Sequence, residues 1–288
     1  MCRGASLSFQ SMNEKTLEAV GRKNIPLDYF SKLMKDYHAS SIPTYSELIL
    51  GLLEETYASF FAGIDQLLES GQHASINMYL CELLPNSAMA QPAFMEKYQI
   101  RVADTILYQF HCLPAKGDIV EYPKVVIGTS SLPFDDWKKM YHYSLAVQTF
   151  HCLGLIRYAA INLYYEYNIR YHDFYAGLLQ WCKNDPHTIA GDSFARMNAI
   201  FEKFTAGIGS LAYQEAITYT PRTQQKTLVL KYDFPTYFAN IMSGRYQKLD
   251  KGQFLFEAAV DKSIQNWDDF AREIVWYGRK GEKIRPCI

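Results

Sequence analysis

The first eighty residues switch repeatedly between two hydrophobic periods. Ala5-Ser6-Leu7-Ser8-Phe9-Gln10-Ser11 alternates apolar and polar at each step, the pattern of a half-buried strand. Glu14 to Val20 predicts a short helix opened by Asn13 and ended near Gly21. Pro26 suits the first turn of a second helix, on which Leu27, Phe30, Leu33, Met34 and Tyr37 share one face. Pro43 to Leu50 predicts a second strand, ending at Gly51. Thr56 then caps a helix with Phe60, Phe61, Ile64, Leu67 and Leu68 at helical spacing, and Gly71 stops it. Ile76 to Leu80 predicts a third strand, closed off by Pro85-Asn86.

Strands separated by helical crossovers of this length pair in parallel, which places the chain in the α/β class. Such sheets are expected to be buried on both faces, in a barrel or a doubly wound fold. Ligands bind beyond the carboxyl ends of their strands. Here those ends are Gln10-Ser11, Gly51 to Thr56, and Leu80-Cys81-Glu82.

Past residue 98 the pattern becomes mainly helical, so a division into 1–98 and 99–288 is expected. Gln99 to Glu121 reads as a connector, punctuated by Pro114 and Gly117. Pro133-Phe134-Asp135-Asp136 starts a helix that runs through Trp137, Tyr141, Leu145, Phe150 and Ile156, with a bend at Gly154. Asp173 to Cys182 predicts another helix. Asp192-Ser193 predicts the cap of a third, running towards Ile217. Thr227 to Tyr232 is the one strand expected in this region, with short helices over Pro235 to Met242 and Asp268 to Tyr277.

Composition narrows the function classes. With 49% apolar, 20% charged and 15% aromatic residues, the chain can bury a core and is not disordered. A net charge of −1 offers no general attraction to nucleic acid or to an anionic membrane, so neither is expected as a partner. The longest apolar stretch, Tyr143 to Tyr165, contains Gln148, His151, Arg157 and Asn162, which marks a buried helix rather than a membrane span. The six cysteines are scattered without metal-ligand spacing, so no metal site is expected in this chain. Reduced thiols and a start without a leader's apolar core point to the cytoplasm.

The strand motifs resemble a known family. Ser8-Phe9-Gln10-Ser11, Arg22-Lys23-Asn24, Glu47 to Leu52 with Glu55-Thr56, and Leu84-Pro85-Asn86-Ser87 follow one another as in radical SAM enzymes. They look like the fourth to sixth strands of that TIM-like barrel. Gly71-Gln72-His73 and Trp276 to Gly281 are similar to the subgroup that carries an N-terminal cobalamin-binding domain. The resemblance implies S-adenosylmethionine as a ligand, with Ser8, Gln10, Glu47 and Gly51 and the backbone from Ile76 to Met78 lining its pocket. It also implies a [4Fe-4S] cluster and cobalamin, but only in an intact parent. The CxxxCxxC cluster motif and the cobalamin domain are absent from this chain, which carries Gly51-Leu52-Leu53-Glu54-Glu55-Thr56 where the family usually has Gly-Leu-Pro-Gly-Glu-Thr.

Read without the resemblance, these residues leave alternatives open. Ser8 and Gln10 also fit ordinary inward polar positions of a barrel. Glu47, acidic in an apolar strand, requires a partner if it is buried. Glu54 and Glu55 at a helix start fit dipole-stabilising acids. The histidines fit satisfied or solvated side chains better than metal ligands. Tyr164, Tyr165, Tyr167, Tyr171 and Tyr175 form a stripe that fits core packing or a pocket wall.

Three functional readings follow. The first is the back half of a cobalamin-dependent radical SAM enzyme, inactive by itself because the cluster-bearing half lies elsewhere. The second is a non-catalytic binding subunit whose open sheet edge is completed by another chain. The third is an unrelated helical protein, which requires that the three strands not be adjacent and parallel.

Overall fold

A computed structural model describes residues 4–104 and 122–206, together with the backbone of two further strands, Tyr213–Tyr219 and Lys226–Tyr232. The predicted helices over Pro235 to Met242 and Asp268 to Tyr277, the tail Trp276 to Gly281 and most of the 99–121 connector lie outside the described residues. The chain forms two compact units, one of residues 1–106 and 120–177 and the other of 107–119 and 178–288.

The first unit is built on a parallel sheet in the order β1 (Ala5–Gln10), β2 (Thr44–Leu50), β3 (Ile76–Leu80). Neighbouring parallel strands exclude the unrelated helical protein. The first crossover contains α1 (Glu14–Ala19) and α2 (Leu27–Ala39); the second contains α3 (Tyr57–Glu69). α1 and α3 start where the chain supplies a side-chain cap: the Asn13 side chain accepts from the Lys15 amide, and Thr56 and Ser59 form a capping box; α2 starts after Pro26 without one. Gly71, with φ +93°, carries the chain out of α3.

Sequential strands joined by right-handed crossovers receive their helices on the same side. One face, carrying Phe9, Thr44, Ser46, Leu48, Leu50 and Ile76, is buried, and Phe30 of α2 meets Phe9 edge-on at 4.8 Å. Two polar residues in this layer are satisfied internally: Thr44 Oγ1 donates to Gln72 Oε1 at 3.1 Å, and Gln72 Nε2 donates to Ser46 Oγ at 2.9 Å. The opposite face carries Ser6, Ser8, Tyr45, Glu47, Asn77 and Tyr79, all exposed or half-buried. The expectation of a sheet buried on both faces is therefore corrected: among the described residues only one face is covered. The reason lies in β1 and β2, whose period-2 alternation puts polar side chains on the open face.

After β3 the chain turns through a 3-10 segment (Ala88–Ala90) and α4 (Pro92–Tyr98) into β4 (Arg101–Asp104), which pairs antiparallel with β5 (Lys124–Gly128). Both strands were missed in the sequence, because a four-residue strand and a short Lys-Val-Val-Ile-Gly run carry too few periods to distinguish strand from loop. A cluster of Leu52, Leu53, Cys81, Leu83, Ile100 and Val126 fills the space beyond the carboxyl ends of β2 and β3.

The helix expected from Pro133 forms and ends at Gly154, the expected bend, whereas the apolar stretch Tyr143 to Tyr165, expected as one buried helix, is split there in two. α5 (Phe134–Ala146) widens into a π-helical turn over Val147–Cys152 and stops at Gly154, φ +83°; α6 (Arg157–Tyr167) then begins. Arg157 holds the break by donating from Nε to the His151 carbonyl at 3.0 Å and from Nη2 to the Cys152 carbonyl at 2.5 Å. α7 (Tyr171–Asn184) follows, and the boundary between the units falls within it. The tyrosine stripe divides accordingly. Tyr171 and Tyr175 are buried, Tyr164 stacks on Tyr171 at 4.9 Å, and Tyr165 and Tyr167 face solvent.

In the second unit, α8 (Ile189–Thr205) is capped by Thr188, whose Oγ1 accepts from the Gly191 amide at 3.0 Å. The helix thus starts before the expected Asp192-Ser193 cap and does not reach Ile217. Residues Tyr213–Tyr219 form strand β6, paired antiparallel with β7 (Lys226–Tyr232). The alternation in Tyr-Gln-Glu-Ala-Ile-Thr-Tyr, with its β-branched and aromatic residues, was the signal for β6.

Candidate functional site

The register of the sheet sets the site. Ser8 pairs with Glu47, and Glu47 with Asn77, so three polar side chains form one row across β1, β2 and β3 on the open face. Ser8 Oγ donates to Glu47 Oε2 at 2.5 Å, and its own oxygen lies 3.0 Å from Ser6 Oγ. From the other side the Tyr79 hydroxyl donates to Glu47 Oε1 at 3.4 Å, and Ser75 Oγ donates to Asn77 Oδ1 at 3.2 Å. Both Glu47 oxygens are therefore oriented by hydroxyl donors from the neighbouring strands. A carboxylate held in this way, half-buried and with no cation against it in the described bonding, is suited to an incoming ammonium or hydroxyl group.

The six expected ligand positions do not converge on one face. Ser8 and Glu47 share the open row. Gln10 ends β1 at φ +66°, after a register shift, and pairs with Leu48. Ile76 and Met78 pair with Ser46 and Leu48, so their side chains belong to the helix-covered face; the Ile76 amide donates to Cys152 Sγ at 3.4 Å. Gly51 sits where β2 ends, φ +102°, and a Cβ there would lie 2.9 Å from the Val126 carbonyl oxygen. Its missing side chain accommodates the protein's own β5 backbone. Asn77 and Tyr79 were not singled out in the sequence. They become visible only once β3 is set in register with β2, because β3 alone shows no polar alternation strong enough to mark a face.

The loops beyond β1 and β2 are tied together by a buried carboxylate. Glu55 accepts from Ser11 Oγ and from Ser59 Oγ, and Ser11 Oγ in turn accepts from the Asn13 amide at 3.0 Å. Glu55 is buried, so it is a cross-loop anchor rather than a solvated acid at a helix start. The neighbouring turn departs from the family's Pro-Gly. Glu54 stands at the usual glycine position and takes φ +58° all the same, its carbonyl held by Asn13 Nδ2 at 3.1 Å. A left-handed conformation costs a non-glycine residue roughly 1–2 kcal/mol, partly offset by the larger entropy a glycine loses on folding. Glu54→Gly is thus expected to stabilise the chain by about 0.5–1 kcal/mol, read as a higher urea midpoint. A lower midpoint would show that the Glu54 side chain contributes more than its backbone costs.

The described thiols are not disposed as cluster ligands. No disulfide joins Cys81, Cys152 or Cys182 among the described residues; burial pushes the Cys81 thiol up to about 12 and Cys152 up to about 11. Among the described residues there is no group of three His, Cys, Asp or Glu that could hold a metal ion. The described residues therefore supply no ligand set for a [4Fe-4S] cluster.

Two buried histidine clusters lie near the opposite end of the sheet, around the start of β3. His73 Nδ1 is 3.0 Å from His151 Nε2, and His151 Nδ1 is 2.7 Å from the Tyr175 hydroxyl. Asp65 of α3 is fully buried and accepts from the His172 amide at 3.0 Å and from Arg170 Nη2 at 3.0 Å, with His172 Nδ1 2.5 Å away. Each cluster is satisfied internally and locks α3, the π-turn and the start of α7 together.

With this geometry in place, comparison with known proteins shows what the chain is similar to. The chain is similar to methyltransferases, one of them a cobalamin-dependent radical SAM enzyme, and matches their C-terminal part. It is 37% identical over 201 residues to the cobalamin-dependent radical SAM methyltransferase TokK of Streptomyces tokunonensis, a match covering 70% of this chain and 29% of that protein. It is 34% identical over 201 residues, again 70% of this chain and 29% of the relative, to the 2-(S-pantetheinyl)-carbapenam-3-carboxylate methyltransferase of Streptantibioticus cattleyicolor. In each case the matched stretch spans less than a third of the relative's length. No family model matches the chain. Among the described residues no helix is long and apolar enough to cross a membrane.

Proposed function

We propose that this chain is the second arc of a radical SAM barrel from a cobalamin-dependent methyltransferase, and that its open sheet face lines the S-adenosylmethionine pocket. The observation that carries this reading is the asymmetry of the three-stranded sheet. Helices cover one face, and the other presents the Ser8–Glu47–Asn77 row, with Tyr79 bonded to Glu47, that a barrel would turn inward. In a doubly wound sheet both faces would be covered; in a barrel arc only the outer one is.

S-adenosylmethionine, when bound, supplies a sulfonium methyl group and an amino-acid end bearing an ammonium. Glu47 is the anion that would receive the ammonium, oriented by Ser8 and Tyr79. Gln10, at the carboxyl end of β1, and the Gly51 turn would shape the mouth of the pocket. The cluster and cobalamin are proposed to be held by the remainder of the parent enzyme, since the described residues supply no ligand set for the cluster. Methyl transfer is the proposed reaction of the parent.

On this reading the outer edge of β1, unpaired among the described residues, receives a further strand. The isolated chain is expected to form no 5′-deoxyadenosine from S-adenosylmethionine after anaerobic reconstitution with iron and sulfide and reduction. Cleavage above the protein-free background would overturn the assignment of the cluster to another segment. Reading the DNA upstream of the Met1 codon supplies the complementary test: an in-frame CxxxCxxC identifies the segment that completes the barrel. If stop codons intervene, the strand on the β1 edge must come from a separate chain. Co-purification with a cluster-bearing protein would then support the alternative of a non-catalytic partner subunit.

A further inference from the structure

Glu47 has two hydroxyl partners, and the two differ in what else they do. Ser8 is part of a short hydroxyl chain along β1, with Ser6 behind it at 3.0 Å. Tyr79 is 53% exposed on the open face, two residues beyond Asn77 of the row, and its hydroxyl donates to Glu47 Oε1. An exposed tyrosine on a strand normally packs its ring on a cross-strand neighbour. Here the phenol also reaches diagonally to Glu47 on the adjacent β2, the one carboxylate on this face among the described residues.

We infer that Tyr79 is a positioning residue for the cationic end of the ligand: its hydroxyl fixes the rotamer of Glu47, so that the carboxylate presents its remaining lone pairs outward from the sheet. The inference rests on the proposed reading of this face as an S-adenosylmethionine pocket. Three features support it. Carboxylate torsions are broad, so one donor leaves the group free to swing and two donors from opposite sides do not. The donors come from the two strands flanking β2, which holds Glu47 in the middle of the row. The phenol is itself held in its protonated, donating form: burial and the Glu47 charge raise Tyr79 above the usual phenol range, with Asn77 pulling weakly the other way.

The test uses the protein isolated anaerobically from its own gene, titrated calorimetrically with S-adenosylmethionine. Tyr79→Phe keeps the ring and removes only the donor; it is expected to weaken binding about three- to tenfold, the range of one partly exposed hydrogen bond to a carboxylate. Glu47→Gln serves as the reference and is expected to weaken binding more. A second readout would not respond to a merely structural role. In protein labelled with 13C at tyrosine Cζ, the resonance lost in Tyr79→Phe is expected to titrate at lower pH in Glu47→Gln than in the wild type, with the unfolding midpoint unchanged in Tyr79→Phe. Binding by Tyr79→Phe within twofold of wild type, while Glu47→Gln is weakened, would overturn the inference and leave the pocket assignment standing. Undiminished binding by Glu47→Gln, or no binding by the wild type, would remove the pocket assignment and the inference with it.

Discussion

Lowering the pH from 6.5 to 5 is expected to loosen the first unit around β3 by about 3 kcal/mol, through two histidines. Burial holds His151 down to about 3 and His73 down to about 4, with the neighbouring Arg157 guanidinium adding to both effects and His38 to the second. In the unfolded chain each returns to about 6.5. Both folded values lie below the unfolded ones, so between them the unfolded state binds more protons. Stability is then fully present above pH 6.5 and falls as the pH drops towards 4 and 3. The slope is about 1.4 kcal/mol per pH unit for each histidine. His73 keeps part of its surface in water and contributes less than the full slope. The groups facing the pair are Arg157 from α6, His38 from α2, Tyr171 and Tyr175 from α7, and Cys152 from the π-turn; none is an anion that would receive a new imidazolium. Amide hydrogen exchange over Ile76–Leu80, corrected for its intrinsic pH dependence, is the measurement. Protection should fall between pH 6.5 and 5 in the wild type and fall less in His73→Gln/His151→Gln. An equal pH slope in the two proteins would show that the histidines titrate normally.

The ease with which the first eighty residues were read, and the difficulty of much that followed, have physical causes. β1, α2, β2 and α3 announce themselves because each repeats its period several times, and residues with a specific backbone role, such as Asn13, Thr56 and Gly71, mark where helices start or stop. β4 and β5 have no such redundancy. They exist because Leu83 and Cys81 offer backbone partners, the Leu83 amide donating to the Lys124 carbonyl at 2.7 Å and the Val126 amide to the Cys81 carbonyl at 2.8 Å. That is tertiary information. β6 was hidden differently: a helix with apolar positions at Met197, Phe201 and Phe204 runs directly towards it, so its pattern was absorbed into the preceding element.

The candidate site divides along the same line. Glu47 stood out as the acidic member of an apolar strand, and Ser8 as part of an alternating one. That they touch is a consequence of register, which no local pattern states. Asn77 and Tyr79 belong to a five-residue strand and gain meaning only from Glu47 across the ladder. Glu55 shows the limit in the other direction. Its place at a helix start points to a dipole role, whereas its burial against Ser11 and Ser59 depends on how the β1 loop folds over it.

Gly51→Ala is expected to destabilise the first unit by roughly 3 kcal/mol, for two reasons that add. The backbone at φ +102° lies in the region that side chains rarely adopt. A Cβ would also sit 2.9 Å from the Val126 carbonyl oxygen, 3.3 Å from Trp137 Nε1 and 3.5 Å from Cys81 Cβ. The first of these contacts is with backbone, and Val126 is fixed twice: it pairs with Val102 in β4, and its amide donates to the Cys81 carbonyl. It therefore cannot retreat without breaking the junction between the parallel sheet and the β4–β5 pair. Gly21, also at positive φ, supplies the control, because a Cβ there meets nothing within 4 Å. Gly21→Ala should cost only the left-handed penalty of about 1–2 kcal/mol, and the difference between the two variants isolates the clash. Urea denaturation followed by circular dichroism gives both values. Equal losses would mean that β5 moves aside freely, and Gly51 would then be required only for its turn.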